Sequence, residues 1–461
     1  MGEVEMVMGN ETKTTTARTV CNWIATLAIV SALLVGTPAA DAQLLGGLLG
    51  TTQPPSRLIV RDSLGLLGIV NTCLLLGCTV QQTLDGTVGQ LFLVTAPSTL
   101  NLLNLVTGLV NSLGVVDVEV DQVVQTTSTS AGPAPSYLTD KTPVTYYGAT
   151  VWHGYVAQPA TQLIRNDATH STFNKTGAGV VVAIIDTGVD TSNPVLKPLL
   201  VNGYDFTRNT AGGNELVDYS STTTTTSTSA TAAVVNQSTV AVLDQSTVAV
   251  LDGTQYKAFG HGTMNAGLVH LVAPAAKIMP LKAFKSDGTA YGSDILRAIY
   301  YASQHGARVV NMSFNYTSPS TELANAINYA TTFGAICVSS AGNSGLQTVV
   351  YPGGYKNVID VASTSNQDIQ SSFTNYGAPP VWLAAPGEGV VTFYPFNTYA
   401  AGWGTSFSTP LVSGTAALLV SANPLCTYPC AANALGHADN ISNPQLGHGR
   451  LDTYSAVQSL Y

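Results

Sequence analysis

The chain has 461 residues, which is enough for about two or three domains and a large buried core. Only 9% of the residues are charged, and 17 Lys and Arg against 26 Asp and Glu give a net charge of -9. This balance excludes a basic surface for nucleic acid, whereas the size permits an enzyme.

The N-terminal residues follow the pattern of a secretory signal peptide. A polar start precedes an apolar run at residues 23–35, which is too short for a comfortable membrane span. Ala40 and Ala42 fit the small residues of a cleavage site, which predicts a signal peptide over residues 1–42. We therefore expect a secreted protein, extracellular or periplasmic, that is not membrane-bound after cleavage. Retention as a membrane anchor is the alternative.

Between residues 56 and 125, strand and helix patterns alternate. The runs Arg57–Arg61 and Gly89–Val94 are typical of strands, and Asn101–Leu113 places apolar residues on one helix face. Residues 115–124 then alternate apolar and acidic side chains. These patterns predict a small α+β domain. It ends at residues 126–136, whose Ser, Thr, Gly and Pro indicate a flexible, cleavable linker.

Residues 140–461 alternate short β-branched runs with helical patterns. Strands buried on both faces that alternate with helices predict an α/β fold with a mostly parallel central sheet. Functional groups in such sheets gather at the carboxyl ends of the strands. The predicted strands are Val180–Ile185, Lys277–Leu281, Val309–Val310, Ala335–Val338 and Val358–Val361, and the predicted helices are Ile295–His305 and Leu323–Thr332.

An insertion at residues 211–253 interrupts this order. Residues 220–229 contain only Ser and Thr, and the octapeptide of residues 237–244 is repeated in residues 245–252. Two copies are too few for a solenoid. We expect a disordered surface loop followed by a hairpin or an extended duplication, with an accessory role at the substrate edge as the alternative.

Five of the six cysteines follow the predicted signal peptide core. Export would permit two local disulfides, Cys73 with Cys78 and Cys426 with Cys430. Neither pair has the neighbouring Cys or His residues of a zinc site, and Cys337 lies in an apolar run, where a packing role is expected. No metal or other cofactor is predicted.

Acyl transfer by serine needs a base, a carboxylate that orients the base, and donors for the oxyanion. Asp186 ends an apolar strand, His261 stands between glycines at a helix start, and Ser406 precedes the apolar run of residues 411–420. Asn343 lies just beyond another predicted strand. Taken singly, these residues also fit a turn-forming aspartate, a structural histidine and an ordinary capped helix.

Together, the motifs around Asp186, His261, Asn343 and Ser406 resemble the subtilase family of serine endopeptidases, in the family's order. The resemblance covers roughly residues 177–457. It implies a subtilisin-like three-layer fold and an acyl-enzyme mechanism without a cofactor. In the implied roles, Asp186 orients the imidazole, His261 is general base and then acid, Ser406 is the nucleophile, and Asn343 donates its amide to the oxyanion.

The resemblance also implies a substrate cleft and a maturation pathway. One segment would pair with an extended peptide and another would form the wall of a specificity pocket. The implied substrate-binding residues are Ser313, Phe314, Asn315, Ser340, Ala341 and Gly342. Residues 56–125 resemble, in the order of strands and helices, the inhibitory propeptide of subtilases, with an unrelated binding domain as the alternative. The expected partners are protein or peptide substrates and the chain's own propeptide, and the mature enzyme is expected to be a monomer.

Several positions differ from those usual in the family. Phe407-Ser408 replace Met-Ala, Met264-Asn265 replace His-Val, Asn315 replaces a glycine, and Val350 stands where glycine is frequent. We expect Asn315 and Val350 to restrict the specificity pocket. Because the helix after His261 continues towards Pro274 without the calcium loop of many subtilisins, no strong calcium site is expected there.

Three other functions are alternatives to a self-processing endopeptidase. The departures would permit a catalytically silent subtilase fold used for binding, but the four implied catalytic residues are all present. An α/β-hydrolase would require Gly-x-Ser-x-Gly, whereas Ser408 occupies the last position. An acidic subtilisin-like peptidase would carry a carboxylate in place of His261.

Overall fold

The computed structural model describes residues 56–125, 133–219, 233–235, 240–242, 256–377 and 379–461. The chain separates into two units, residues 1–122 and 123–461. The predicted signal peptide, most of the predicted linker and most of the repeated octapeptide lie outside the described residues.

The described residues of the first unit, 56–122, form a four-stranded antiparallel sheet and two helices. Its elements are β1 (Ser56–Asp62), α1 (Gly65–Leu76), β2 (Thr79–Thr83), β3 (Leu91–Ala96), α2 (Leu102–Val110) and β4 (Val115–Val120). The strand order is β2-β3-β1-β4. Leu58 and Val60 of β1 share one buried cluster with Leu105 and Leu109 of α2, so the helices cover one face of the sheet.

The predictions for the first unit were incomplete. Strands β1 and β3 and helix α2 form where the patterns predicted them, but α1 and β2 were missed. Helix α1 carries leucines on every side, and Leu67 and Leu75 are 78% and 88% exposed. Its apolar residues therefore have no one-sided period by which a helix could be recognised.

The second unit is built around an eight-stranded sheet in the order β10-β9-β13-β8-β15-β16-β17-β18. Only β10 runs antiparallel to its neighbour. The strands are β8 (Val181–Asp186), β9 (Tyr204–Asp205), β10 (Thr210–Ala211), β13 (Lys277–Lys282), β15 (Val309–Met312), β16 (Ile336–Ser340), β17 (Val358–Thr364) and β18 (Val381–Pro386). The prediction of a mostly parallel α/β sheet is confirmed.

Smaller strands and the helices complete this unit. The strands are β5 (Val123–Gln125), β6 (Pro143–Tyr146), β7 (Ala149–Trp152), β11 (Ala233–Val235), β12 (Val240–Val242), β14 (Thr289–Tyr291), β19 (Val390–Tyr394) and β20 (Thr398–Gly402). The helices are α3 (His153–Val156), α4 (Pro159–Leu163), α5 (Asn166–Phe173), α6 (His261–Val272), α7 (Gly292–Gln304), α8 (Thr321–Thr332), α9 (Thr405–Ala422), α10 (Tyr428–Leu435) and α11 (Thr453–Gln458).

Alternate residues of the strands face two different helix layers. Ile184 of β8 and Val338 of β16 belong to a buried cluster that also contains Leu268 of α6 and Leu411 of α9. The other face of the sheet is contacted by α7, through β8 and β13, and by α8, through β16. Because every strand in the middle of the sheet is covered on both sides, the sequence shows apolar runs there instead of alternation.

The predicted insertion contributes a short hairpin to a second sheet. Strand β11 pairs antiparallel with β12, and β12 pairs with β20, which itself pairs with β19. The Ser/Thr run lies outside the described residues.

Both predicted local disulfides are present, between Cys73 and Cys78 and between Cys426 and Cys430. Cys337 is a buried free thiol in β16, and burial raises its pKa to about 12, in keeping with the packing role predicted for it. Within the part of the chain that the structure describes, every helix is too short or too polar to cross a bilayer.

The two central helices, α6 and α9, approach each other closely at Gly414 of α9. A Cβ added at Gly414 of α9 would lie 2.6 Å from the Cβ of Val272 in α6 and 3.3 Å from the carbonyl oxygen of Val269. Side chains larger than hydrogen would therefore separate the helices. This matters for function because α6 begins at His261 and α9 carries Ser406 near its start.

We expect Gly414→Ala to destabilise the second unit. Alanine gains about 1 kcal/mol of helix propensity over glycine, but overpacking a tight core costs about 1–3 kcal/mol. The net loss should appear as a lower melting temperature in a Ser406→Ala background, which removes the predicted nucleophile and self-digestion. Ser421→Ala, on the same helix, is the control and should change little. Equal or higher stability of Gly414→Ala would show that the helices have room to adjust.

Candidate active site

The four side chains singled out in the sequence lie at the ends of buried elements. Asp186 is the last residue of β8, and Asn343 lies just beyond the end of β16. His261 is the first residue of α6, and Ser406 is the second residue of α9. Hydrogen bonds join them in two groups, Asp186 with His261 and Asn343 with the start of α9.

Asp186 and His261 form a buried pair. Nδ1 of His261 lies 2.7 Å from Oδ1 and 2.9 Å from Oδ2 of Asp186. Because an ionised carboxylate can only accept, the neutral imidazole carries its proton on Nδ1. Nε2 is then the acceptor atom, and it is buried without a hydrogen-bond partner among the described residues.

Two further N–H groups donate to the carboxylate of Asp186. The backbone N–H of Thr187 donates to Oδ1 over 2.7 Å, and Nδ2 of Asn265 donates to Oδ2 over 2.8 Å. Asn265 lies one helical turn after His261, so both side chains extend from the same face of α6. Fixed donors on both oxygens hold the carboxylate in one orientation.

Glu215 joins the end of β8 to the start of α6. Its oxygens accept from the hydroxyl of Thr187, from the backbone N–H of Gly260 over 2.7 Å and from the hydroxyl of Thr263 over 2.6 Å. The first N–H groups of a helix have no partner within it, and a carboxylate is favourable there. Glu215 thus fixes the strand end and the helix start relative to each other.

Lys282 supports the same turn from the neighbouring strand. It is fully buried and stands beside Asp186 in the parallel pairing of β13 with β8. Its Nζ donates over 2.8 Å to the carbonyl oxygens of Thr187 and Phe284, and over 2.6 Å to the carboxylate of Asp218. All three of its donors are used, as a buried ammonium requires.

Two titratable groups of this network have shifted pKa values. Burial lowers the pKa of His261, but the charge of Asp186, its hydrogen bond and the charge of Glu215 outweigh burial, so the pKa is raised. Burial raises the pKa of Glu215 to about 7, against hydrogen bonds from Thr187 and Thr263 and the charge of Lys282. The imidazole is therefore more basic than a free histidine.

Ser406 is held by backbone contacts with the end of β15. Its Oγ donates to the carbonyl oxygen of Ser313 over 3.4 Å, and the hydroxyl of Ser313 donates to the carbonyl oxygen of Ser406 over 3.1 Å. The Oγ of Ser406 makes no hydrogen bond to Nε2 of His261 in this structure. Such contacts are often long in enzymes without substrate and tighten on binding.

Asn343 contacts the start of α9 through one end of its amide. Its Oδ1 accepts from the N–H and from the hydroxyl of Thr405, each over 2.9 Å. Because Oδ1 is committed to Thr405, Nδ2 points away from that residue, and it lies 3.5 Å from where a Cβ on Gly404 would stand. The amide donor is thereby held beside the residue that precedes α9.

The predicted substrate-binding segments lie next to each other. Ser313–Asn315 follow β15, Ser340 ends β16, and Ala341 and Gly342 continue from it. The side chain of Asn315 spans between the segments, because its Nδ2 donates to the carbonyl oxygen of Ser340 over 2.6 Å. Phe314 is buried, and its ring packs against the ring of Phe284. An antiparallel bridge between Tyr316 and Tyr351 places the segment of Val350 alongside.

Four of the residues that differ from the family pattern, namely Met264, Asn265, Phe407 and Ser408, are buried near the site. The ring of Phe407 lies 5.7 Å from the ring of His261. It also packs against Gly402, because a Cβ added to Gly402 would lie only 2.6 Å from the Phe407 ring. The hydroxyl of Ser408 donates to the carbonyl oxygen of Ala385 over 2.9 Å. Met264 packs in the core, whereas Asn265 contacts Asp186.

Sequence reasoning missed Glu215 and Lys282, and it noted Asn265 only as a departure. A lysine directly after the apolar run of β13 was a signal, since a charge at a buried strand end needs a partner. Glu215 follows no pattern that distinguishes it. Among the described residues, no group of three His, Cys, Asp or Glu side chains is placed to hold a metal ion.

Comparisons with known proteins agree on one family. A model of the subtilase family matches residues 177–443. Thermitase of Thermoactinomyces vulgaris is 33% identical over 294 residues, which cover 61% of this chain and 90% of thermitase. The thermophilic serine proteinase of Bacillus sp. (strain AK1) is 33% identical over 61% of this chain and 63% of its own length. The crystal structure of a lanthipeptide protease matches with a TM-score of 0.52 and 22% identity, over 66% of this chain and 95% of that one, which supports the fold alone.

We expect Glu215→Gln to lower stability in a pH-dependent way. A glutamine presents an amide to N–H and O–H donors, and each donor left without an acceptor costs about 1–3 kcal/mol. Because folding raises the pKa of Glu215 from 4.5 to about 7, the carboxyl stabilises the wild type fully below pH 4.5, and this contribution is lost as the pH rises through 7.

Urea unfolding in the Ser406→Ala background measures both effects. We compare the free energy of unfolding of the protein with Glu215 and of the Glu215→Gln variant. The difference between the two should shrink by roughly 3 kcal/mol between pH 4.5 and 7. Glu388→Gln, outside the network, serves as the control. A difference that stays constant over this range would contradict the shifted titration of Glu215.

Proposed function

The chain belongs to the subtilase family and is a subtilisin-like serine endopeptidase, and from this premise we propose that it acts through Asp186, His261 and Ser406. In this proposal it is a secreted enzyme, made as a zymogen that processes itself. The observation that carries the proposal is the buried hydrogen bond of 2.7 Å between Asp186 and Nδ1 of His261, at the strand end and helix start adjoining Ser406.

The proposed reaction has two steps, acylation and deacylation, and in each of them His261 takes up one proton and then gives it back. The Oγ of Ser406 attacks the carbonyl carbon of the scissile peptide while Nε2 of His261 takes its proton. Imidazolium then gives that proton to the leaving amine as the C–N bond breaks, which leaves an acyl-enzyme. Water repeats the sequence and releases the carboxylic acid. Asp186 stays ionised and orients His261.

The oxyanion would be stabilised by donors at the start of α9. The backbone N–H of Ser406 is one of the unpaired donors of a helix start, and the amide of Asn343 is oriented by its two contacts with Thr405. Two donors held by separate elements need no rearrangement when the negative charge develops, which supports their role in catalysis.

Strand pairing supports the proposal of a peptide substrate and a propeptide. Val123–Gln125 form an antiparallel pair with Thr289–Tyr291, in the register Thr289 with Gln125 and Tyr291 with Val123. An extended peptide can add to a sheet edge in the same way. Since Gln125 directly precedes the Ser/Thr-rich segment, we propose that residues 56–125 are an inhibitory propeptide and that cleavage occurs in the linker of residues 126–136.

Secretion is proposed from the N-terminal pattern and the disulfides. Residues 1–42 fit a cleaved signal peptide, and disulfides persist in oxidising compartments. The mature catalytic domain, residues 140–461, is proposed to act as a monomer without a cofactor.

We further propose that the enzyme prefers small side chains on the acyl side of the scissile bond. The Asn315 side chain bridges to Ser340 between the two proposed pocket walls. A bulky substrate side chain would have to displace that hydrogen bond of 2.6 Å and leave the amide unpaired. Val350, on the adjoining segment, adds bulk where the family frequently has glycine.

Replacing the nucleophile tests the catalytic proposal. We expect the wild-type full chain to shorten near residues 125–140, to hydrolyse peptides and to react with a fluorophosphonate, whereas Ser406→Ala does none of these. Ser408→Ala is a matched control because its hydroxyl bonds to the carbonyl of Ala385 instead. A wild type that neither shortens nor labels would favour the alternative, a silent subtilase fold used for binding.

Removing the Asn315 side chain tests the substrate preference. In Asn315→Gly, kcat/KM for peptides with Phe or Leu before the scissile bond should rise roughly tenfold or more relative to peptides with Ala, because pocket volume is restored. Thr317→Ala, an exposed position nearby, should leave that ratio unchanged. An unaltered ratio in Asn315→Gly would mean that its side chain does not limit the pocket.

A further inference from the structure

We propose that Asn265 is a positioning residue of this site, which sets the pH at which His261 becomes active by donating its amide to Asp186. The inference rests on the proposed roles of Asp186 and His261. It concerns a position where the family usually has valine, so nothing in the shared mechanism requires this donor.

The contact is direct and buried. Nδ2 of Asn265 lies 2.8 Å from Oδ2 of Asp186 and 3.3 Å from Nδ1 of His261. Asn265 is fully buried, and its Oδ1 has no hydrogen-bond partner among the described residues. The hydrogen bond from Nδ2 therefore fixes the orientation of the amide, although Oδ1 is left without a hydrogen bond among the described residues.

The orientation of the amide follows from the chemistry of its neighbour. An ionised carboxylate accepts only, so turning Oδ1 of Asn265 towards Asp186 would set two acceptors against each other. With Nδ2 facing inward, the positive end of the amide dipole lies beside the imidazole ring. A positive dipole end at 3.3 Å disfavours the imidazolium relative to the neutral imidazole.

Charged and titratable groups approach the pair from several elements. Asp186 comes from β8, Glu215 from the segment after β10, and Lys282 from β13. Tyr394 of β19 lies against Gly260, with its hydroxyl donating to the carbonyl oxygen of Phe259. The two carboxylates favour the imidazolium, and in our proposal the amide of Asn265 opposes them. Because these other groups stay unchanged when Asn265 is replaced, the comparison isolates the amide.

The test compares the pH dependence of kcat/KM for the matured wild type, Asn265→Leu and Asn265→Val. Leucine keeps the volume without a donor, and valine is the usual family residue. We expect the acid limb to move to higher pH by roughly half a unit to one unit in both variants, since the imidazolium gains stability when the amide is lost. At the wild-type midpoint, activity should fall roughly twofold to sixfold.

Asn166→Leu is the matched control. Asn166 is also buried, and its Nδ2 donates over 3.0 Å to the carbonyl oxygen of Leu271 at the far end of the same helix. Its loss should lower the melting temperature and leave the acid limb in place. If the Asn265 variants only lose stability and their acid limb coincides with that of the wild type, the inference is wrong.

A second readout needs no activity. In the full chain with Ser406→Ala, the imidazole of His261 can be titrated by NMR with and without Asn265→Leu, and the same upward shift of its midpoint is expected. Wild-type inactivity together with this shift would reject the proposed reaction and keep the inference. Wild-type activity without this shift would support the proposed reaction and reject the inference about Asn265.

Discussion

The hydrogen bond between Asp186 and Nδ1 of His261 joins a strand end to a helix start, and the surrounding structure serves to keep those two ends together. A strand end can hold a carboxylate rigidly, whereas a helix start leaves N–H groups without partners. Glu215 meets both conditions at once, because it accepts from Thr187 next to Asp186 and from Gly260 and Thr263 around His261. Glu215 thus holds Asp186 and His261 in position through their neighbouring residues, without a hydrogen bond to the imidazole itself.

The close approach of α6 and α9 places the remaining part of the site. Gly267 allows α6 to lie against β19, where a Cβ would be 2.2 Å from Oγ1 of Thr392, and Gly414 allows α9 to lie against α6. The helices enter the site from one layer, and their first turns carry His261 and Ser406. Gly267 in α6 and Gly414 in α9 therefore help to set the separation between the helix starts that carry His261 and Ser406. This is a packing constraint that the catalytic motifs themselves do not encode.

Much of the fold could be predicted because each central strand is a short β-branched run buried on both faces. The resemblance to subtilases, drawn from four motifs in order, is confirmed by the family match over residues 177–443. Glu215 could not be predicted, since it begins a short 3-10 helix between the two motifs, and only the tertiary fold brings it near them. Helix α1 was missed for a different reason, because its leucines surround the helix and leave no amphipathic period.

Two of the departures from the family pattern, Phe407 and Asn265, lie beside the ring of His261, and both disfavour its charged form. Phe407, which stands where the family usually has methionine, places an apolar aromatic ring 5.7 Å from the ring of His261. Nδ2 of Asn265 donates a hydrogen bond to Oδ2 of Asp186, the partner of His261, over 2.8 Å. Burial weakens the imidazole as a base, whereas the charges of Asp186 and Glu215 strengthen it. The amide of Asn265, in our proposal, acts in the same direction as burial. A chain that keeps the three reacting groups can therefore still move its working pH, because the balance is set by neighbours that take no part in the bond changes.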